Sequence, residues 1–305
     1  MVIEVEHLIK SYGPVKAVND ISFNVRQGEV FGMLGPNGAG KTTTVEIIEG
    51  LRTADSGKIT VLGMDVARVP TDIKQKIGLQ LQSPSLMPSL TVDELLDVFA
   101  GFYKRALPIS EVVGLLSLAE SRKVLVKNLS GGQLQRLSVA MALINDPEIA
   151  FLDEPTTGLD PQVRREMWSV IERMRRQGKT IFLTTHYMEE AERLCDRVAI
   201  IDHGKIIAMD TPQKLIKHYF KEKAIQFELE PPPPEAVLRT LPGVTNVAID
   251  ENDVVIYSDD ITATMSATLK FAEKKGLTGK LKDLHVRQAS LEDVFLKLTG
   301  RKIRD

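Results

Sequence analysis

The sequence predicts an α/β core with a helical insertion, followed by a small α+β domain of ferredoxin-like type. Three observations carry this prediction. Short apolar segments alternate with helix-like ones from residue 1 to about residue 220. Residues from about 83 to 146 carry amphipathic helical stretches instead. A second, shorter alternation surrounds four consecutive prolines at 231–234. Short apolar strands that alternate with helices make a mostly parallel sheet covered on both faces, because each strand must be buried on two sides.

The elements follow in order. Val30-Phe31-Gly32-Met33-Leu34 is an apolar run ending at a glycine-rich turn, and a helix from Lys41 through Glu49 follows it. Pro84 and Pro88 precede Thr91-Val92-Asp93-Glu94, a capping box that opens the helical insertion. Ile149-Ala150-Phe151-Leu152 and Ile181-Phe182-Leu183-Thr184 are strands that end in polar residues. On such sheets ligands sit at the carboxyl ends of the strands. Val198 to Ile201, Asp202-His203-Gly204 and Lys205 to Ala208 read as a hairpin.

Four prolines in a row cannot occupy a helix interior or a central strand. Around them, strands are expected at 225–229, 244–250, 254–258 and 281–286. Helices are expected at 234–241 and 261–275, and a last one is capped by Ser290-Leu291-Glu292-Asp293. The order β-α-β-β-α-β-α suggests the ferredoxin-like arrangement. We therefore expect a first domain over residues 1–222 and an accessory domain over 223–305.

Composition bounds the function. With 39 Lys and Arg against 41 Asp and Glu, the net charge of -2 suggests neither a nucleic-acid binder nor an acid-rich disordered chain. The single cysteine, Cys195, permits no intramolecular disulfide and fits a reducing compartment. The segment Met1 to Glu6 has acid where a secretory signal needs base. The longest apolar run, Val139 to Ile144, is far short of the roughly 18 residues of a spanning helix. The chain is expected to be soluble, and any membrane role to come through a partner.

Three motifs carry chemistry. In Gly35-Pro36-Asn37-Gly38-Ala39-Gly40-Lys41-Thr42, followed by Thr43, the glycines let the backbone approach a triphosphate and turn its N–H groups inward. The helix that follows points its positive end at the phosphates. Lys41 would bridge β- and γ-phosphate oxygens, and the Thr42 hydroxyl would ligate Mg²⁺. In Ile149 to Glu154 a buried strand ends in two acids. Asp153 would hold Mg²⁺, and Glu154 would polarise the attacking water. In Leu129-Ser130-Gly131-Gly132-Gln133 a serine and two glycines open a second helix, hence a second anion site. One triphosphate seldom needs two such sites, so Ser130 and Gly132 are expected to address the nucleotide of another copy.

Together these motifs resemble the nucleotide-binding domain of ABC transporters, over about residues 2–220. Gly35 to Thr42 stands as that family's Walker A loop, Ile149 to Glu154 as its Walker B strand with the adjacent glutamate, and Leu129 to Gln133 as its signature. The resemblance implies the P-loop ABC ATPase fold, a mixed sheet core with a helical insertion, and ATP and Mg²⁺ as ligands. It also assigns positions. Tyr12 matches the aromatic that stacks on adenine. Gln82 matches the glutamine that senses Mg²⁺ and γ-phosphate, with Gln80 standing nearby. Gly158-Leu159-Asp160 matches the loop that crosses the dimer interface. His186 matches the histidine that hydrogen-bonds the γ-phosphate. His7, His203, His218 and His285 have no such context.

The resemblance further implies two copies facing head to tail, with each ATP between one copy's Walker residues and the other's Ser130-Gly131-Gly132. The expected partners are a separate integral membrane permease and a second copy or homologous ATPase, with no nucleic acid. The expected place is the cytoplasmic face of the cell membrane. Pro155 to Pro161 and the tail Ala289 to Gly300 are similar to ATPase subunits of ABC-2-type exporters, a group that includes daunorubicin-resistance-type exporters. Ser121 to Asn128 departs from the loop of fused exporters and agrees with a separate subunit. An importer ATPase, or a soluble ABC ATPase acting on ribosome or DNA, are the alternatives.

Overall fold

The computed structural model describes residues 1–68, 70–80, 86–220 and 223–300. Two compact units divide between Pro212 and Gln213. The helix Pro212–Tyr219 thus falls with the second unit, although the sequence pattern had run the first domain on to residue 222.

In the first unit a four-stranded antiparallel sheet combines β1 (Ile3–Tyr12), β2 (Val15–Val25), β4 (Ser56–Val61) and β5 (Met64–Asp65) in the order β2-β1-β4-β5. The sequence reading did not foresee this sheet. A six-stranded sheet has the order β10-β9-β3-β8-β7-β6. Its strands are β3 (Val30–Leu34), β6 (Ile77–Gln80), β7 (Ile149–Asp153), β8 (Thr180–Thr185), β9 (Arg197–Asp202) and β10 (Lys205–Asp210). All neighbours in it are parallel except the β9–β10 hairpin. Strands β3, β7 and β8 are buried at every position, which is why they read as continuous apolar runs rather than alternating ones.

Helix α1 (Lys41–Ile48) follows β3. Its Val45, Ile47 and Ile48 join one core with Phe23 of β2, Phe31, Phe151 and Phe182. Phe31 and Phe182 have ring centres 5.5 Å apart, and Phe23 stacks on Phe31 at 5.4 Å. These rings tie the antiparallel sheet to the parallel one. A short helix α2 (Pro70–Lys74) precedes β6. The described part of the insertion holds α3 (Val92–Ala100), α4 (Ile109–Leu115) and α5 (Gly131–Leu143). Both bonds of the expected capping box are present, Glu94 N to the Thr91 hydroxyl and Thr91 N to the Glu94 carboxylate. Helices α6 (Pro161–Arg176) and α7 (Met188–Leu194) flank β8.

The second unit opens with α8 (Pro212–Tyr219). It then runs through β11 (Lys223–Glu228), α9 (Glu235–Leu238), β12 (Val244–Asp250), β13 (Asp253–Ser258), α10 (Ile261–Lys274), β14 (Lys282–Gln288) and α11 (Leu291–Thr299). Its antiparallel sheet has the order β12-β13-β11-β14, the ferredoxin-like order that the element sequence suggested. Ile225, Phe227, Val254 and Ile256 form its core with Leu229, Leu238 and Val247. Tyr257 donates to Asp293 Oδ1 at 2.6 Å, and Arg287 forks onto the same carboxylate, fastening the start of α11 to the sheet.

Candidate functional site

Strands β3, β8 and β7 are neighbours in unbroken parallel register, Leu34 beside Thr185 and Thr184 beside Asp153. Their carboxyl ends therefore lie side by side. After β3 comes the loop Gly35–Gly40 and the start of α1, β7 ends in Asp153 with Glu154 next, and β8 leads to His186.

The loop's shape depends on Gly40, whose φ is 106°, and a Cβ there would lie 2.2 Å from the Ala17 carbonyl oxygen. No other residue type fits that position. Lys41 is buried, and its Nζ donates to the carbonyls of Gly35 at 2.8 Å and Pro36 at 3.3 Å. The same nitrogen is 3.3 Å from Glu154 Oε1. A cleft of about 440 Å³ is lined by Tyr12, Ala17, Asn37, Gly38, Gly40, Lys41, Thr42, Thr43 and Glu154. Gly35 and Ala39 of the same loop are buried. Tyr12, 42% exposed, has Lys10 and Arg52 over its ring at 5.6 and 5.5 Å.

Glu154 is buried and its backbone is left-handed, with φ 49°. Its N–H donates to the Thr184 carbonyl and hydroxyl at 3.1 and 3.0 Å. Its Oε2 accepts from the Thr157 hydroxyl at 3.2 Å and lies 3.4 Å from His186 Nδ1. The His186 imidazole and, against the pull of burial, the Lys41 ammonium hold the Glu154 carboxyl down to about 2. Asp153 moves the other way, because burial raises it more than the bond from Thr184 lowers it. Glu49, at the end of α1, is pushed up to about 8 by burial, with the charges of Asp153 and Glu46 adding to it. The site thus pairs an acid that stays ionised with acids that resist ionisation.

Not every sequence-predicted residue comes to this cleft. Ser130 caps α5, its hydroxyl accepting from Gln133 N at 3.3 Å while the Gln133 side-chain Oε1 accepts from Ser130 N at 2.8 Å. Ser130, Gly131, Gly132 and Gln133 do not line the cleft. Gly132 instead abuts α6, where a Cβ would meet Val163 at 2.6 Å. Asp160 caps α6, accepting from Gln162 N and Val163 N at 3.0 Å each. Gln82 lies outside the described residues, whereas Gln80 is buried with its amide donating to the Asp153 carbonyl at 3.4 Å.

Sequence reasoning missed three participants. Thr184 holds both Asp153 and Glu154, but a threonine at a strand end reads as an ordinary β-former. Ala17 and Arg52 reach the cleft or Tyr12 from the unforeseen sheet and its flank. Only the pairing of those strands could have revealed them.

The chain is similar to known proteins over most of its length. A family profile described as ABC transporter matches residues 18–157. Among curated proteins, the chain is 40% identical over 313 residues to a Nod factor export ATP-binding protein I of Ralstonia nicotianae, covering 100% of this chain and 95% of that one. It is 37% identical over 318 residues to the linearmycin resistance ATP-binding protein of Bacillus subtilis, covering 99% and 100%. Among solved structures, a dimeric ATP-binding cassette in a post-hydrolysis state bound to ADP and Pi superposes with TM-score 0.63 and 26% identity, over 68% of this chain and 98% of that one. An ATP-binding subunit of an ABC transporter superposes with TM-score 0.65 and 27% identity, over 72% and 93%.

Proposed function

The chain belongs to the ABC transporter family, and on that premise we propose that it powers an exporter by binding and hydrolysing ATP between two copies of its cassette. The observation that carries this reading is the meeting of the Gly35–Thr43 segment, Asp153, Glu154 and His186 at three adjacent strand ends. The N–H groups of the loop and the start of α1 bind the phosphates. Lys41 turns from its carbonyl partners to phosphate oxygens. Tyr12 stacks on the base. Glu154, ionised throughout the neutral range, orients the attacking water, and His186 steadies it and reaches the γ-phosphate.

Mg²⁺ fits the donor set. Thr42 and Asp153 offer hard oxygen ligands, with Gln82 assigned by resemblance. When bound, the ion would neutralise charge on the transferring phosphoryl group.

The signature stands apart from the chain's own cleft, which supports its role as the closing face for a second copy's nucleotide. Gly158 to Asp160 would cross that interface. Export is named for the Nod factor relative, and resistance to linearmycin for the other. Among the described residues no helix is long and apolar enough to cross a membrane, so a permease would supply the path and dock the chain at the cytoplasmic face. The test is Glu154→Gln. It should bind ATP, hydrolyse it very slowly and accumulate as a dimer. Near-normal turnover would remove Glu154 from its role.

A further inference from the structure

A buried carboxyl outside the cleft joins the two loops that carry Glu154 and His186. Glu190, on α7, is 0% exposed. Its Oε1 accepts from the Thr156 hydroxyl at 2.8 Å and from the Trp168 indole N–H at 2.9 Å, with the Thr185 hydroxyl beside it. Thr156 stands two residues after Glu154, and Thr185 directly precedes His186. Trp168 belongs to α6, the helix that Asp160 caps. One carboxyl therefore touches the turn behind the water-orienting acid, the approach to the histidine, and the helix behind the interface loop.

A second tie runs parallel to the first. Arg164 of α6 lies 4.1 Å over the ring of Tyr187, the neighbour of His186, and its Nη2 donates to the Leu159 carbonyl at 3.5 Å. The His186 and Tyr187 rings are 4.2 Å apart. Burying a carboxyl is costly, and hydrophobic packing would fill the same space at lower cost. A group placed there and held against three elements fixes their mutual geometry, since interiors tolerate few alternative arrangements.

We infer that Glu190 is a positioning residue for ATP hydrolysis, holding the Glu154 and His186 loops in register so that the water and the γ-phosphate meet. The inference rests on the roles proposed for Glu154 and His186. It gives α7 a function beyond packing, although no atom of Glu190 touches nucleotide.

The test compares steady-state ATP hydrolysis by the full-length chain and its variants. Glu190→Ala should lower kcat roughly tenfold or more and leave KM for ATP within about twofold, as a misplaced catalytic group does. Glu190→Gln keeps a side-chain carbonyl that accepts from Thr156 and Trp168, and should recover most of the rate. Trp168 is the chain's single tryptophan, so its emission maximum checks that bond directly. It should match the parent in Glu190→Gln and move to the red in Glu190→Ala. Thr156→Val should lower kcat alone, and add little in the Glu190→Ala background. Wild-type kcat in Glu190→Ala, a loss confined to KM, or full additivity with Thr156→Val overturns the inference. If Glu190→Ala does not fold, Thr156→Val and Glu190→Gln decide. A kcat lowered by the first and kept by the second supports it, and wild-type rates in Thr156→Val overturn it. A slow Glu154→Gln beside a normal Glu190→Ala sinks this inference alone, whereas a fast Glu154→Gln sinks the reading beneath it.

Discussion

Replacing Glu49 by Gln should change stability in a direction that reverses with pH. Glu49 is 3% exposed, and burial, aided by Asp153 and Glu46, raises its carboxyl from 4.5 to about 8. An acid raised in this way takes up a proton on folding between those two values. Its contribution is intact below pH 4.5 and is lost as pH rises, at about 1.4 kcal/mol per unit, to a ceiling of about 5 kcal/mol above pH 8. Glutamine cannot ionise, so the variant escapes that loss. Its amide must find partners in the same confined place, at about 1–3 kcal/mol that does not vary with pH. Glu49→Gln should therefore be less stable than the parent near pH 4.5 and more stable near pH 8. Urea denaturation across that range, with the difference in unfolding free energy plotted against pH, reads the swing directly. A difference that stays constant from pH 5 to 8 would refute the claim that burial keeps Glu49 protonated.

Three further outcomes follow from the same geometry. Lys41→Ala removes the buried cation beside Gly35, Pro36 and Glu154, and should weaken ATP binding at least tenfold by calorimetry; unchanged affinity would contradict its phosphate role. Gly132→Ala puts a methyl 2.6 Å from Val163, so α5 must shift against α6. In the Glu154→Gln background it should bind ATP but fail to dimerise on size exclusion, and a normal dimer peak would separate the signature from the second copy's nucleotide. Tyr257→Phe strips a buried bond to Asp293 in the second unit, and should cost about 1.5–3 kcal/mol in chemical denaturation.

Much of the site was legible because phosphate chemistry constrains the chain locally. Gly40 needs a backbone that side chains resist, and Lys41 must follow it at the start of a helix, so the loop announces itself in eight letters. Glu154 was legible for a similar reason: an acid directly after a buried apolar strand is expensive unless it has work to do. What escaped was set by pairing across distance. Strands β1 and β2 meet with three register shifts, and their alternation is broken at His7 and Asp20, whose left-handed backbones form the irregularity. No local pattern in residues 3–25 states that β1 pairs with β4 as well. Glu190 was equally hidden, because Met188-Glu189-Glu190-Ala191-Glu192 reads as a charged helix face. Only the fold decides which of the three acids turns inward. The ferredoxin-like unit was readable because its β12–β13 hairpin and its capping box keep their signals within a few residues.

The unbroken ladder of β3, β8 and β7 sets a limit on how this protein tolerates insertion. One extra residue within β7 would push Asp153 out of the rung beside Thr184 and into the place Glu154 now holds, turned to the opposite face of the sheet. Both acids would leave their places, without either being deleted. The antiparallel sheet, which already absorbs several irregularities, is not bound by that arithmetic. A library of single-codon insertions should therefore show a sharp silent gap over Ile149 to Glu154, set between tolerant margins, drawn by strand parity rather than by the chemistry of any residue inserted.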